Sequence, residues 1–397
     1  MPGAQALKRA LSYPKFKGPG PYRVLVPTTG YHLQGECVAA LRALGHTAIE
    51  VPLHKLSCAD ALRALLGQLV AARPDCLLVI NHLGFDDGGQ LGAVLDACQM
   101  PVACWYCDSP FFVLKGQSLP AAAVTSLFVW EKSYIPHLAA FGAQDVHHLP
   151  LGCDLRQFDA PPGAPAQPKY ALGFVGDSMR YACALWDGRL GPKEKIWRDR
   201  WLSSLGPGAR RCYADTVARL QQELPALQLW DALGAATFMA TQRYRDGLLR
   251  QLPLTDLHVF GDAGWRHTFG GGEPVTLHGP VGYGEALAQV YRDTAVSINA
   301  TSLQMPTTVN QRVFDIPQAG GFVLTDDQED VHELFEVGQE AVTYQDGEHL
   351  AELTAFYLRR PELRRQITAR AQRRIRACHS YPHRLQTILA ALKKRFG

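Results

Sequence analysis

Asp159-Ala-Pro-Pro-Gly-Ala-Pro-Ala-Gln-Pro168-Lys-Tyr170-Ala-Leu-Gly-Phe-Val175-Gly-Asp-Ser178 divides the chain. Proline fixes φ and lacks an N–H, so the first half of this stretch neither pairs in a sheet nor continues a helix. The second half is an apolar run ending in a glycine turn, which reads as a new strand. The expected organisation is an N-terminal domain over 1–158, a linker at 159–169 and a C-terminal domain over 170–380. A final helix at 381–397 is expected to pack back on the N-terminal domain.

Upstream of the linker, Arg23-Val-Leu-Val26 is a short apolar run that feeds a turn at Pro27–Gly35. A helical segment over 36–44 follows, with Val38, Leu41 and Leu44 at helical spacing and Gly45 as the stop. Thr47–Val51, Cys76–Ile80, Val102–Trp105, Leu127–Trp130 and Val146–Leu149 continue as strands, with helices at 59–72, 90–98 and 133–141. Continuous apolar runs alternating with helices are the pattern of buried parallel strands with crossovers. Downstream, strands at Tyr170–Val175, Leu257–Phe260, Val275–Leu277, Ala295–Ile298, Phe322–Leu324 and Ala341–Tyr344 repeat the architecture. The predicted fold class is α/β: two Rossmann-like, doubly wound domains facing across a cleft. A helical insertion over 178–251 carries Trp197, Trp201 and Trp230, and the tail from Glu348 onward is helical.

Composition narrows the function. In 397 residues, 40 Lys+Arg stand against 37 Asp+Glu, a net of +3, with 47% hydrophobic and 19% charged residues. This is an ordinary globular balance, and it excludes collagen, coiled coil and disorder. It carries no footprint of a duplex nucleic-acid binder. The ten cysteines are scattered and mostly interrupt apolar runs, as expected of small buried hydrophobes in a reducing cytoplasm. No apolar run approaches the ~18 residues of a membrane span, and no export signal is read. Cys104-Trp-Tyr-Cys107 has a C-x-x-C spacing, yet it lies in an apolar strand where positions three apart do not converge, so no metal site is expected. The arginines at 364–376 follow acidic Glu348, Glu352 and Glu362 and read as a solvated helix face.

Chemistry in open α/β sheets collects in loops after strands. After the strand ending at Ile298, a helix is expected to begin at Thr307 or Thr308, giving an N-terminal anion site that Arg312 strengthens. Asp315, three residues on, is expected on the same side, where its carboxylate would accept from ribose hydroxyls. Gly320-Gly321 ends that helix. Gly176-Asp177-Ser178 is a glycine turn through which backbone N–H groups approach a pyrophosphate. Gly261-Asp262 and His278-Gly279 are similar turns where a base or ribose would lie. In the first half, Tyr31-His32, Asn81-His82 and Asp108 end strands. Gly30, Gly35 and their neighbours do not match a dinucleotide fingerprint, so no redox cofactor is expected. Asp108 and then His32 are the candidates for a catalytic base, with Tyr31, Asn81 and His82 on the acceptor side.

Asn310-x-Arg312-x-Phe314-Asp315, Gly320-Gly321-Phe322-Val-Leu-Thr-Asp326, Leu334-Phe335-Glu336-x-Gly338-x-Glu340, and Leu350–Leu358 with Pro361-Glu362 together carry a resemblance. The chain resembles the CgeB-like (spore-maturation-type) glycosyltransferases, most strongly over 256–385. The resemblance implies the two-domain GT-B architecture and transfer of a sugar from a nucleotide-diphosphate donor held mainly by the C-terminal domain. Donor-side residues would be Gly176, Asp177, Ser178, Gly261, His278, Gly279, Asn310, Arg312 and Asp315, and the acceptor a protein, a glycan or a small molecule. Asp315 stands where the family usually has glutamate, one methylene longer. The chain has no Asp-x-Asp, so the leaving diphosphate is expected to be neutralised by helix ends and Arg312, with no metal and no other cofactor. A sugar-nucleotide epimerase and a non-catalytic nucleotide- or carbohydrate-binding partner protein remain as alternatives.

Overall fold

The computed structural model describes residues 4–86, 88–115, 117–159, 167–205 and 226–397. Most of the expected linker (160–166), part of the expected insertion (206–225) and Cys212 lie outside the described residues. The chain forms two compact units, Met1–Pro150 with Tyr381–Gly397, and Leu151–Ser380.

The first unit is built on a six-stranded parallel sheet of β1 (Arg23–Thr28), β2 (Thr47–Pro52), β3 (Cys76–Ile80), β4 (Val102–Tyr106), β5 (Thr125–Val129) and β6 (Val146–His148). Their spatial order is β2-β1-β3-β4-β5-β6. The chain winds from β1 outward to β2, then crosses back to β3 on the other side of β1. The three central strands β3, β4 and β5 are buried at every position, which is why they read as unbroken apolar runs.

The second unit repeats the winding with β7 (Tyr170–Val175), β8 (Leu257–Phe260), β9 (Thr276–His278), β10 (Thr294–Asn299), β11 (Val323–Asp326) and β12 (Val342–Tyr344), ordered β12-β11-β10-β7-β8-β9. The strand β7 is flanked by β8 and β10, in register Phe174 with Val259 and Ile298. Leu172, Phe174, Val296, Ile298, Leu324 and Trp265 fill the core beside it. Helices Arg180–Asp187 and Pro192–Ser203 both pack on helix Ala226–Leu249. Trp197 and Trp230 are buried there, with the rings of Trp197 and Trp201 stacked at 6.2 Å.

One boundary differs from the sequence expectation. The change of unit comes at Pro150–Leu151, ahead of the proline-rich stretch. The reason is the short helix Leu155–Phe158, whose Phe158 is fully buried with Tyr291, Val313 and Ile375 of the second unit. The chain also returns to the first unit at Tyr381. There helix Tyr381–Phe396 lies on helix Gln34–Ala43, burying Leu385, Ile388, Leu389 and Leu392. Arg395 ties its last turn down by donating to the carbonyls of Thr125 and Ala123, both at 2.7 Å. Leu385→Ala leaves a cavity at this contact and is expected to cost about 2–5 kcal/mol. The exposed Gln386→Ala on the same helix is expected to stay within about 0.5 kcal/mol. Urea denaturation of the two variants followed by circular dichroism measures the difference.

Candidate functional site

Winding in two directions from one strand leaves a crevice at the carboxyl ends of the two strands where the order reverses. In the second unit these are β7 and β10. Past β7, Gly176 donates its N–H to Phe260 O (3.0 Å) and its own carbonyl accepts Trp265 Nε1–H (2.9 Å). A Cβ at Gly176 would lie 3.0 Å from the Phe174 ring and 3.3 Å from Arg312 Nη2, so the absence of a side chain lets the Arg312 guanidinium approach the backbone. Arg312 itself is half-buried.

The turn after Gly176 is held from β8. Asp262 accepts Ser178 N–H and Ser178 Oγ–H, both at 2.7 Å, and Gly264 N–H at 2.6 Å. Burial opposes ionisation of Asp262, yet these bonds outweigh it and hold the carboxyl below its ordinary range. Asp177 moves the other way, raised by burial and by the neighbouring Asp262 charge. Gly261 is enclosed: a Cβ there would fall 2.3 Å from Gly176 O and 2.7 Å from Trp265 Nε1.

Past β10, a buried polar layer supports the loop. Asn299 donates to Thr325 Oγ1 (3.0 Å) and accepts from Asn310 Nδ2 (2.8 Å), while Asp326 accepts Thr301 N–H (2.9 Å) and Thr301 Oγ1–H (2.7 Å). Asn310 Oδ1 also accepts Arg312 N–H at 3.1 Å. The helix therefore starts at Arg312 and runs only to Gln318, with Asn310 satisfying its first free N–H. The expected start at Thr307 or Thr308 is corrected, since Thr308 is fully buried and Thr307 O accepts Asp330 N–H (3.0 Å) in the loop ahead.

Asp315 is also corrected. It is 2% exposed and sits beside Cys153 and Tyr283, where burial raises its carboxyl well above the ordinary range in spite of those neighbours and Arg312. A residue three positions on is rotated far enough to turn into the core while Arg312 keeps its outer face. Asp315 thus lies behind Arg312 on the inner face of the helix. His278 and Gly279 end β9, the sheet edge, two strands from β7. There His278 Nε2 bonds His258 Nδ1 at 3.0 Å and its ring stacks on Phe260 at 4.2 Å. The crevice therefore gathers Gly176, Asp177, Ser178, Gly261, Asn310 and Arg312, with Asp315 buried behind Arg312 and His278 and Gly279 at the sheet edge.

In the first unit the reversal lies between β1 and β3. Here Asn81 Nδ2 donates to Asp108 Oδ2 (2.8 Å), and the Tyr31 hydroxyl donates to the same oxygen. Asn81 Oδ1 accepts Cys107 N–H (3.0 Å) and Asp108 N–H (3.3 Å), fixing the turn after β4. Gln34 Oε1 fixes the turn after β1 by accepting from Thr29 N–H (2.8 Å) and Tyr31 N–H (3.2 Å). Burial and the Asp108 charge push the Tyr31 hydroxyl far up, so it remains a proton donor. The exposed His32 stacks obliquely on Tyr31 at 4.3 Å, with Nε2 3.7 Å from Cys107 Sγ. Four of the sequence candidates, Tyr31, His32, Asn81 and Asp108, thus form one cluster.

His82 does not join them. It turns inward against Tyr106 Oη (2.5 Å) and Cys104 Sγ (3.3 Å), and burial pushes its imidazole down to about 3. Cys104 and Cys107 accordingly face different partners. Sequence reasoning passed over Arg245, and named Asp262 and Asp326 only within a turn and a motif, with no role of their own. Arg245 is legible in hindsight as a lone charge spaced four and eight residues from Thr241 and Thr237, on the buried face of helix Ala226–Leu249.

Residues 243–390 match a glycosyl transferase-like family model. Solved structures similar to the chain include a glycosyltransferase from Rickettsia africae, at 10% identity, 94% of this chain, 98% of that chain and a TM-score of 0.55. Sucrose-phosphate synthase from Thermosynechococcus elongatus follows at 10% identity, 95% and 99% coverage and a TM-score of 0.54. Anabaena Alr3699/HepE in complex with UDP and glucose gives 11% identity, 94% and 100% coverage and 0.53. At these identities the likeness is one of fold. No curated protein matches.

Two measurements check the geometry. Gly261→Ala forces a backbone shift and is expected to cost about 1–3 kcal/mol, whereas Gly279→Ala, whose Cβ meets nothing within 4 Å, is expected to stay within about 0.5 kcal/mol in urea denaturation. His82 takes up a proton in the unfolded chain near its ordinary 6.5 but in the folded protein only near 3, so stability falls as pH drops through that window. His82→Asn, which tolerates the φ of +58° found there, removes one titrating group and is expected to flatten that fall by up to about 1.4 kcal/mol per pH unit. Urea midpoints at pH 7 and 4.5 read it.

Proposed function

We propose that this chain of the GT-B fold is a glycosyltransferase, that residues 151–380 hold a nucleotide-diphosphate-sugar donor and that Asp108 is the base that deprotonates the acceptor. The observation that carries the donor assignment is the approach of the Arg312 guanidinium to Gly176 at the point where the second sheet reverses. A guanidinium there meets the charge that develops on a leaving diphosphate. Anabaena HepE, which shares the fold, is seen with UDP and glucose, and this supports a nucleotide-sugar as the donor class. The motif set around Asn310–Asp326 and Leu334–Glu340 supports the finer CgeB-like assignment.

On the acceptor side, Tyr31 and Asn81 both donate to Oδ2 of Asp108. Two donors on one oxygen fix the plane of the carboxyl, while Oδ1 makes no hydrogen bond among the described residues and faces the acceptor proton in this reading. The His32 ring beside Tyr31 lines the same surface. Because Arg312 can neutralise the diphosphate and the chain has no Asp-x-Asp, the transfer is proposed to proceed without a divalent ion. No helix among the described residues is long and apolar enough to cross a membrane, and the described cysteines are all free thiols. Both fit a protein that works in the cytoplasm.

A thermal-shift panel of UDP, GDP, dTDP, CDP and ADP tests the donor side, since a ligand at about 100 times its Kd adds about 2.7 kcal/mol to the folded state. One nucleotide is expected to raise Tm, with the shift lost in Arg312→Ala and kept in Asp108→Asn. With the matching nucleotide-sugar, Asp108→Asn is expected to lower turnover by about 100-fold or more. Silence across the panel with folded protein overturns the donor reading. Wild-type binding with no turnover favours a non-catalytic partner protein, and conversion of the donor sugar without any acceptor favours an epimerase.

A further inference from the structure

Arg245 is a buried cation to which the reading above gives no task. It stands in helix Ala226–Leu249 at 2% exposure, within the region that the sequence marks as an insertion. Its Nη1 donates to Asp177 O at 2.7 Å and its Nε to Ala300 O at 3.3 Å, the backbone just past β7 and β10. Two of its five N–H donors are thereby used. Among the described residues no carboxylate lies within ion-pair distance of it. A guanidinium taken out of water without a paired carboxylate is costly. Burial and repulsion from Arg312 pull its pKa down to about 9, with Asp177 and Asp326 offsetting only part. It therefore stays charged near neutral pH.

We infer that Arg245 is a second cationic contact for the donor's diphosphate, acting beside Arg312 at the ends of β7 and β10. Helix Ala226–Leu249 is then part of the donor site. The inference rests on the nucleotide-diphosphate reading above and names a residue and an element that reading does not use. Two guanidinium groups that repel each other in the empty protein are jointly attracted to an arriving diphosphate. The same pair gains less from a monophosphate, so Arg245 sets the preference for two phosphates over one. A merely structural clamp on the two strand ends would have no such selectivity.

Isothermal titration of wild type, Arg245→Lys and Arg245→Met with UDP, UMP and inorganic pyrophosphate tests this. Arg245→Met is expected to weaken UDP and pyrophosphate by about tenfold or more while UMP changes less, so that the UDP-over-UMP preference shrinks. Arg245→Lys keeps the charge but not the planar fork that reaches two carbonyls, and is expected to fall between. If Arg245→Met does not fold, Arg245→Lys decides by the same preference. Diphosphate affinities within twofold of wild type, or equal losses for UDP and UMP, overturn the inference while leaving the donor reading standing. Wild-type binding of pyrophosphate that depends on Arg245, with every nucleotide of the panel silent, upholds the anion site and overturns the donor reading. Wild type that binds none of the three probes overturns the inference.

Discussion

A parallel sheet wound from its first strand in two directions has one place where neighbouring connections leave in opposite senses, and no helix covers it. Each unit is built on that constraint, β1 with β3 in the first and β7 with β10 in the second. The loops there are polar because their backbone ends past the last ladder hydrogen bond and must be satisfied by side chains. Asn81 and Gln34 do this in the first unit. Asp262, Asn310 and Asp326 do it in the second. The side chains that remain free to act, Asp108 and Arg312 above all, are held in position by those bonds.

The two crevices solve different electrostatic problems. Around Asp108 the neighbours are neutral donors, Tyr31 and Asn81, both bonded to Oδ2. Around Gly176 the balance is positive at the surface and compensated beneath. Arg245 is met by the carbonyl oxygens of Asp177 and Ala300, and Arg312 lies beside the Tyr291 hydroxyl and Asp315. In the proposed function the donor's diphosphate belongs to the second crevice and an acceptor hydroxyl to the first.

Much of this was legible in the sequence. All twelve strands overlap the segments expected as strands, most plainly β3, β4 and β5, since a strand buried on both faces leaves no polar alternation. The cluster of Tyr31, His32, Asn81 and Asp108 was legible too, because each follows a strand end and parallel strands bring their carboxyl ends to one side. Asp315 and His82 misled for a shared reason: spacing gives a side chain's position along an element but not the depth of the core beside it. The helix start was misplaced because Asn310 caps from the loop, a role that hydroxyl-bearing Thr307 and Thr308 imitate in sequence.

By itself the sequence determined two doubly wound α/β units and the strand-end loops that carry their chemistry, because local apolar patterning and turn chemistry act over a few residues. Only the tertiary structure decided that Asp315 is interior, that residues 151–158 belong to the second unit, and that Arg245 reaches both strand ends of that unit. Those facts depend on packing between residues about 55 to more than 200 positions apart, and side-chain burial at that range follows from three-dimensional contact, which no local spacing encodes.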